Sequence, residues 1–269
     1  MADLPLIETR GLVVDYAVQR ALIGRSESPT RVLRGVDLTI GRGEIVGIVG
    51  ESGSGKSTLG RALLGLVTPT AGEVLFDGRP LGDFPGGETA RKRQMQMIFQ
   101  DPMSSLTPRH TIRTILTKPL LLHGIAPDQA AADAAVAAVL DRVGLPLVVL
   151  TRYPHELSGG QRQRVGIARA AMLKPRFVLA DEVVSGQDVS TQARVLTLLK
   201  DLCAEIGMAL AFISHDLSVI RAFCNRLYVL NGGVVVEQGE SETVFASPQH
   251  DYTRALIDAI PIPDPAVRW

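Results

Sequence analysis

The sequence contains little cysteine, and its charges balance. Only Cys203 and Cys224 are present, and they lack the spacing of a metal site. This usage fits a reducing compartment and argues against disulfides and an iron–sulfur cluster. Lys plus Arg and Asp plus Glu both number 28, so the chain has no overall basic field to attract nucleic acid. This balance argues against a nucleic-acid partner without excluding a local basic patch, and no nucleic-acid partner is expected.

Long apolar runs are also lacking. A membrane-spanning helix needs about 20 predominantly apolar residues, whereas the run MALAFI covers only 208–213. The first ten residues, MADLPLIETR, include acids and have no long apolar core, so they do not match a signal peptide. The sequence predicts a protein that does not cross a membrane by itself.

The apolar runs that are present are short and alternate with helix-like stretches. With 269 residues, 46% apolar and 21% charged, the chain can bury a full core. Apolar strands are predicted at 43–50, 93–100, 175–182 and 208–216, with a helical interval at about 101–173. This order is typical of an α/β fold. Ligands bind beyond the carboxyl ends of the strands in such sheets, and polar residues end these strands.

The string GESGSGKST follows the first of these apolar runs and precedes a stretch of helical periodicity. It matches the phosphate-binding loop G-x-x-x-x-G-K-[ST] in its required context of strand, loop and helix. Glycines let successive N–H groups face one anion, and the helix N-terminus adds partial positive charge. The alternative is a chance glycine-rich turn. The predicted nucleotide-binding residues are Gly50, Glu51, Ser52, Gly53, Ser54, Gly55, Lys56, Ser57 and Thr58.

A second string, LSGGQRQR, separates the possible classes of nucleotide-binding protein. Together with the phosphate loop, FVLADE and SHD, in this order, it resembles the ATP-binding-cassette (ABC) ATPases over nearly the whole chain. The resemblance implies a RecA-like P-loop core with an antiparallel β lobe and an inserted helical lobe. It also implies two domains paired head to tail, with each ATP between one phosphate loop and the other domain's signature motif. The signature residues would be Leu157, Ser158, Gly159, Gly160 and Gln161.

The resemblance assigns catalytic roles to side chains at the strand ends. Asp181, with Ser57, would hold Mg²⁺, and Glu182 would be the general base for the attacking water. Gln100 would reach Mg²⁺ or that water, and His215 would donate to the γ-phosphate. The alternatives are a solvated acidic strand end for the Asp-Glu pair and a plain surface histidine.

Two further assignments concern the adenine and the domain interface. Tyr16 is the predicted aromatic partner of adenine; a core tyrosine on an edge strand is the alternative. Ser185 and Asp188 match the S-x-x-D frame of the family's dimer-interface loop. Gly186 and Gln187 depart from the usual Ala-Leu pair, and Val183 from the usual Pro or Ala. We expect altered coupling between the two half-sites rather than lost chemistry.

Three segments narrow the resemblance to the ATPases of dipeptide, oligopeptide and nickel importers: 99–112, 153–164 and 247–261. It implies two permease subunits, a second, non-identical ATPase, and indirectly an extracytoplasmic solute-binding protein. The expected location is the cytoplasmic face of a bacterial inner membrane. The expected solute is peptide-like, an opine or nickel-type.

The same resemblance sets the domain organisation and leaves one rival function open. An ATP-binding domain is predicted at 1–240 and a C-terminal extension at 241–269. The rival is an ATPase of the same superfamily in nucleic-acid or ribosome maintenance. Such proteins typically carry a long coiled-coil insertion or a second cassette, and neither lies between Lys56 and Ser158.

Overall fold

The computed structural model describes residues 4–16 and 29–260, which form two β-sheets and a set of helices. The strands are β1 (Ile7–Tyr16), β2 (Thr30–Ile40), β3 (Ile45–Val49), β4 (Ala71–Phe76), β5 (Arg79–Pro80), β6 (Met95–Ile98), β7 (Phe177–Asp181), β8 (Ala209–Ile213), β9 (Arg226–Asn231) and β10 (Val234–Glu240). The α-helices are α1 (Lys56–Leu63), α2 (Gly87–Gln94), α3 (Ile112–Leu122), α4 (Gln129–Arg142), α5 (Gly159–Ala171), α6 (Val189–Ile206), α7 (Leu217–Phe223), α8 (Ser241–Ala246) and α9 (Asp251–Asp258). Short 3-10 turns cover Leu81–Asp83, Pro102–Ser105, Leu147–Thr151 and Pro154–Glu156.

The larger sheet has the strand order β10-β9-β3-β8-β7-β6. The pairs β9–β3, β3–β8, β8–β7 and β7–β6 are parallel, and β10 joins β9 as an antiparallel edge strand. Parallel strands end at the same edge of a sheet. The residues that come after β3, β6, β7 and β8 therefore share one edge, as the sequence predicts.

The central strands are buried on both faces. All five residues of each of β3, β7 and β8 are buried, because layers cover both sides of a parallel sheet. Successive side chains point to opposite faces: Val178 and Ala180 of β7 enter one core, and Phe177 and Leu179 enter the other. The first core contains α3 to α7, and the second contains α1 and the smaller sheet.

The smaller sheet is antiparallel, with the order β2-β1-β4-β5. Strand β1 forms its centre and pairs with both β2 and β4. Two sheets of this kind, with helices inserted between β6 and β7, agree with the predicted RecA-like core, β lobe and helical lobe. The domain boundaries remain a prediction.

Helices between β6 and β7 begin where the sequence provides capping side chains. The Asp128 carboxylate accepts from the N–H of Ala131 at the start of α4, at 2.8 Å. At the start of α5, Ser158 and Gln161 form a reciprocal capping box, which satisfies two N–H groups that the helix leaves open. The cap of α5 fixes the orientation of the predicted signature segment.

The structure shortens the four predicted strands, to Ile45–Val49, Met95–Ile98, Phe177–Asp181 and Ala209–Ile213. The apolar run at 93–100 is predicted to be extended throughout, but α2 continues to Gln94 and only Met95–Ile98 form β6. The reason is the polar start of this run, since Arg93 belongs to an exposed helical turn in which Glu88 pairs with Lys92. Gln100 therefore lies in the loop after the strand, at the shared edge. The sequence also predicts a last helix that ends at Pro261 and Pro263, and these two residues lie outside the described part of the chain.

Across residues 4–16 and 29–260, none of the helices combines the length and the apolar character that a membrane span requires.

Candidate active site

The phosphate loop connects β3 to α1 and starts at a position that only glycine can occupy. Gly50 has φ of +147°, and a Cβ placed there would lie 2.1 Å from the carbonyl oxygen of Leu230. Helix α1 then begins without a side-chain cap and without an acid in its first turn. The first N–H groups of a helix lack partners within it, and their partial positive charge favours an anion. The loop and α1 thus provide a phosphate site.

Lys56 closes this loop from within. Its ammonium group donates to the carbonyl oxygens of Gly50 and Glu51, both at 2.7 Å, and the residue is buried. Burial lowers the pKa of Lys56, and the nearby carboxylates of Glu182, Asp181 and Glu51 oppose that shift. The two carbonyl oxygens are neutral, so they stabilise the buried ammonium group less than a negatively charged phosphate would.

Asp181 and Ser57 form the oxygen-rich side of the site. The Ser57 hydroxyl lies 3.4 Å from Oδ1 of Asp181. Burial raises the pKa of Asp181, and the hydrogen bond from Ser57 opposes this shift. A bound cation would offset the cost of burying this carboxylate. Mg²⁺ prefers oxygen ligands and typically binds through one or two carboxylates together with substrate phosphates. The residues present fit Mg²⁺.

Glu182 lies at the centre of a second cluster. Gln100 donates from Nε2 to Oε2 of Glu182 at 2.9 Å, and His215 Nδ1 lies 3.5 Å from the same oxygen. Glu182 Oε1 has no hydrogen bond to any of the residues that the structure describes. The predicted base therefore keeps one carboxylate oxygen available for water, while two neighbours from adjacent strand ends orient the other.

The backbone at Glu182 is held in an unusual conformation. Its φ is +48°, a left-handed geometry that costs a side-chain-bearing residue about 1–2 kcal/mol. The N–H of Glu182 donates to the carbonyl oxygen of Ile213 at 2.9 Å, which ties this turn to β8. Backbone strain of this kind is found at functional sites when the surrounding structure enforces it.

The signature segment is presented to solvent. Leu157 is buried and anchors the segment, whereas Ser158, Gly159 and Gly160 are exposed at the start of α5. The Ser158 hydroxyl accepts from the N–H of Gln161 at 3.3 Å. The exposed helix start has the geometry of an anion site that a second molecule can reach.

The loop after Glu182 is hydrogen-bonded to the signature helix within the same chain. Gln187 donates from Nε2 to the side-chain oxygen of Gln163 on α5 and to the carbonyl oxygen of Val183, the latter at 3.2 Å. Gln163 in turn donates to the carbonyl oxygen of Val183. Gly186 has φ of +71°, so its departure from alanine suits the local backbone. Of the two predicted interface residues, Ser185 is exposed and donates its N–H to the Glu182 carbonyl at 3.1 Å.

Asp188 has a structural task beside its predicted interface role. Its carboxylate caps α6, accepting from the Ser190 hydroxyl at 2.7 Å and the N–H of Thr191 at 2.9 Å. These hydrogen bonds, with that from Ser190 the strongest influence, hold the pKa of Asp188 far below its usual range. Next to it, the apolar side chain of Val189 is 81% exposed. An exposed apolar residue beside a fixed loop is compatible with an interface.

The resemblance to ABC ATPases implies that replacing Gly186 with alanine and Gln187 with leucine changes the cooperativity of ATP hydrolysis. The double variant removes the Gln187–Gln163 link and places a side chain at a left-handed position, which costs about 1 kcal/mol. The Hill coefficient of ATP hydrolysis is the measurement, with Gly186→Ala alone as the control for backbone strain. An unchanged Hill coefficient in the double variant would contradict a coupling role for this loop.

Tyr16 ends β1 and is 39% exposed. It forms no ring-stacking or cation–π pair with another residue of the described parts of the chain. Stacking of Tyr16 on adenine remains a prediction.

One residue near the phosphate loop is absent from the sequence-based assignments. The N–H of Glu51 donates to the hydroxyl of Tyr252 on α9 at 2.9 Å. Some 200 residues separate the two along the chain, so no local pattern could predict this contact. The only signal is that Tyr252 belongs to the tail segment 247–261 that carries the importer resemblance.

Comparison with known proteins agrees with this geometry. A model described as "ABC transporter" matches residues 33–185, and one described as "Oligopeptide/dipeptide transporter, C-terminal region" matches residues 236–269. A Brucella ovis protein named provisionally as a peptide import ATP-binding protein is 48% identical over all of this chain and 82% of its own length. The glutathione import ATP-binding protein GsiA of Salmonella typhi is 44% identical over 97% of this chain and 42% of its own length.

Solved structures share the fold. CbiO1 from Clostridium perfringens, part of the ABC transporter complex CbiONQ, has a TM-score of 0.78 and 26% identity, covering 90% of this chain and 91% of its own. The ATP-binding cassette MJ0796, a dimer in a post-hydrolysis state with ADP and phosphate, has a TM-score of 0.76 and 30% identity, covering 87% and 98%. The predicted fold class is confirmed, and the transport role is supported over nucleic-acid or ribosome maintenance. The chain belongs to the ABC transporter family, in which it is an ATP-binding, ATP-hydrolysing import subunit with the oligopeptide/dipeptide-type C-terminal region.

Proposed function

We propose that this subunit binds MgATP at a head-to-tail interface with a second, non-identical ATPase and drives uptake of a peptide-like, opine or nickel-type solute. The observation that carries the proposal is the match of the whole chain, including its C-terminal region, to peptide import ATPases. The proposed partners are two permeases and, indirectly, an extracytoplasmic solute-binding protein. The proposed location is the cytoplasmic face of a bacterial inner membrane.

In the proposed pair, residues of both subunits bind each ATP. The phosphate loop and Lys56 contact the phosphates from one subunit. The exposed helix start of the other subunit supplies the N–H groups of Gly159 and Gly160 to the γ-phosphate. Because the capping box fixes the orientation of this helix start, little ordering is needed on closure. The γ-phosphate would then stabilise the closed pair of subunits, and its loss on hydrolysis would allow the two subunits to separate.

Hydrolysis uses the cluster at the sheet edge. Asp181, Ser57 and Gln100 would hold Mg²⁺, which supplies neutralisation of phosphate charge when bound. Glu182 accepts a proton from the attacking water, and Gln100 orients its carboxylate through Oε2. His215, with Nδ1 3.5 Å from the same oxygen, donates to the γ-phosphate. Phosphoryl transfer depends mainly on positioning and charge stabilisation, so this set is sufficient.

A groove beside the helical segment is the proposed permease-docking surface. It lies between the end of α1, strand β6 and helix α3, and its apolar lining includes Leu66, Phe99 and Leu122. Leu66 is 57% and Leu122 is 72% exposed. The groove includes residues that come after Gln100, so a helix bound there would contact the segment that leads to the catalytic cluster. Movement of Gln100 on nucleotide binding would therefore be transmitted along this segment to a permease helix in the groove.

Affinity purification of the tagged chain from native bacterial membranes tests the function. We expect two permeases and a second ATPase to co-purify, and Leu122→Glu to reduce recovery of the permeases by about 10-fold or more, since it places a charge in the apolar groove. Leu4→Glu is the control, because Leu4 is 62% exposed in a different part of the molecule. Recovery only from the soluble fraction, with ribosomal or DNA-repair proteins, would overturn the proposal.

A further inference from the structure

We propose that Tyr252 is a positioning residue for the phosphate loop, so that the C-terminal region adjusts the affinity of the site for MgATP. The inference rests on nucleotide binding by the phosphate loop and is independent of the solute and the permeases. It assigns a role to a segment that carries no catalytic group.

Both backbone groups of Glu51, at the start of the phosphate loop, are hydrogen-bonded. The N–H of Glu51 donates to the Tyr252 hydroxyl at 2.9 Å, and the carbonyl oxygen of Glu51 accepts from Lys56 at 2.7 Å. The preceding carbonyl, that of Gly50, accepts from Lys56 as well. Tyr252 therefore binds the N–H of Glu51, while Lys56 binds the carbonyl oxygens of the same residue and of the residue before it. Loss of the tyrosine hydroxyl leaves the N–H of Glu51 without this partner.

Tyr252 is placed by contacts that do not involve its hydroxyl. Glu237 on β10 accepts from the N–H groups of Gln249 and His250, at 2.8 and 3.0 Å. His250 Nδ1 then accepts from the N–H of Tyr252 at 3.1 Å and caps α9. The ring of Tyr252 packs against the core that contains α3 to α7. Removing only the hydroxyl should therefore leave the helix in place.

The geometry also gives a direction for the effect. Residues 50 and 51 carry the two carbonyl oxygens that hold Lys56 at the mouth of the loop. A backbone that is free to rotate at Glu51 would hold those carbonyls, and hence the ammonium group, less well. The bond thus preorganises the phosphate site, and its loss should weaken nucleotide binding. An ordinary hydrogen bond corresponds to a factor of about 2–10 in an equilibrium constant.

The test is Tyr252→Phe in the full chain, with the Kd for MgATP measured by isothermal titration calorimetry. We expect the Kd to rise about 2- to 10-fold, with the thermal midpoint of the nucleotide-free protein lowered by no more than about 4 °C, the shift that loss of one hydrogen bond produces in a chain of this size. In steady-state assays the KM for ATP should rise with little change in kcat. Tyr153→Phe removes the same group from a tyrosine of the helical segment and should change none of these values.

Two results would overturn the inference. One is a Kd for MgATP that is unchanged in Tyr252→Phe. The other is an equal weakening in Tyr252→Phe and Tyr153→Phe. A lower thermal midpoint with an unchanged Kd would show that the hydroxyl only stabilises the fold. Failure of the permease co-purification would leave the expected change in Kd intact, so this test is separate from that of the proposed function.

Discussion

Glu182→Gln is expected to slow ATP hydrolysis about 10²- to 10⁴-fold, the usual contribution of a general base. Glutamine has nearly the shape of glutamate, so the backbone at φ +48° and its bond to Ile213 should persist. The amide cannot accept the proton of the attacking water. MgATP should still bind, and the subunits should accumulate in an ATP-bound dimer.

Single-turnover hydrolysis and size-exclusion chromatography with MgATP measure the two parts of this prediction. Glu205→Gln is the matched control, because Glu205 pairs with Arg142 on the surface, away from the sheet edge. A Glu182→Gln protein that hydrolyses ATP at the normal rate would remove this residue from the role of base. A normal rate combined with loss of activity in His215→Ala would transfer that role to the histidine.

Lys56→Ala is expected to weaken MgATP binding by about 10- to 100-fold or more. Hydrogen bonds to charged groups contribute about 1.5–3 kcal/mol each, and this ammonium group is already buried at the mouth of the loop. Alanine leaves the loop without its only buried cation among the described residues, while α1 retains its helix start.

Equilibrium titration with a fluorescent ATP analogue measures this affinity. Lys200→Ala provides a control, since Lys200 lies exposed on α6. The thermal midpoint without nucleotide shows whether each variant is folded. Normal affinity in a folded Lys56→Ala protein would contradict the assignment of the phosphate loop.

The arrangement of the site could largely be predicted from the sequence, because its residues come after strands that share one edge. The phosphate loop, Asp181, Glu182 and His215 each lie at the end of a short apolar run. The rule that parallel strands end together then places them near one another. The pairing of Gln100 with Glu182 agrees with the same rule, since β6 and β7 are neighbours.

Contacts between distant segments could not be predicted in this way. The bond between Glu51 and Tyr252 depends on how α9 packs after the last strand. The hydrogen bond from Gln187 to Gln163 depends on the distance between the loop after Glu182 and helix α5, and no sequence periodicity predicts that distance. The predicted strand at 93–100 is wrong at its start for a different reason. Helix α2 extends to Gln94, and the charged residues of its last turn, rather than the apolar periodicity, set the boundary between helix and strand.

Complete burial of the central strands restricts where chains of this fold can differ in sequence. Apart from Gly47 and from Asp181 at the end of β7, every residue of β3, β7 and β8 packs into one of the two cores, so a charge at these positions would be buried among apolar side chains. Charged and polar substitutions are therefore expected in the loops and helices that connect the strands. The loop after β7 is one such stretch, and the departures Val183, Gly186 and Gln187 occur there, with Val183 buried and Gly186 exposed. Natural divergence in this fold should therefore alter the coupling between subunits more readily than the chemistry within one.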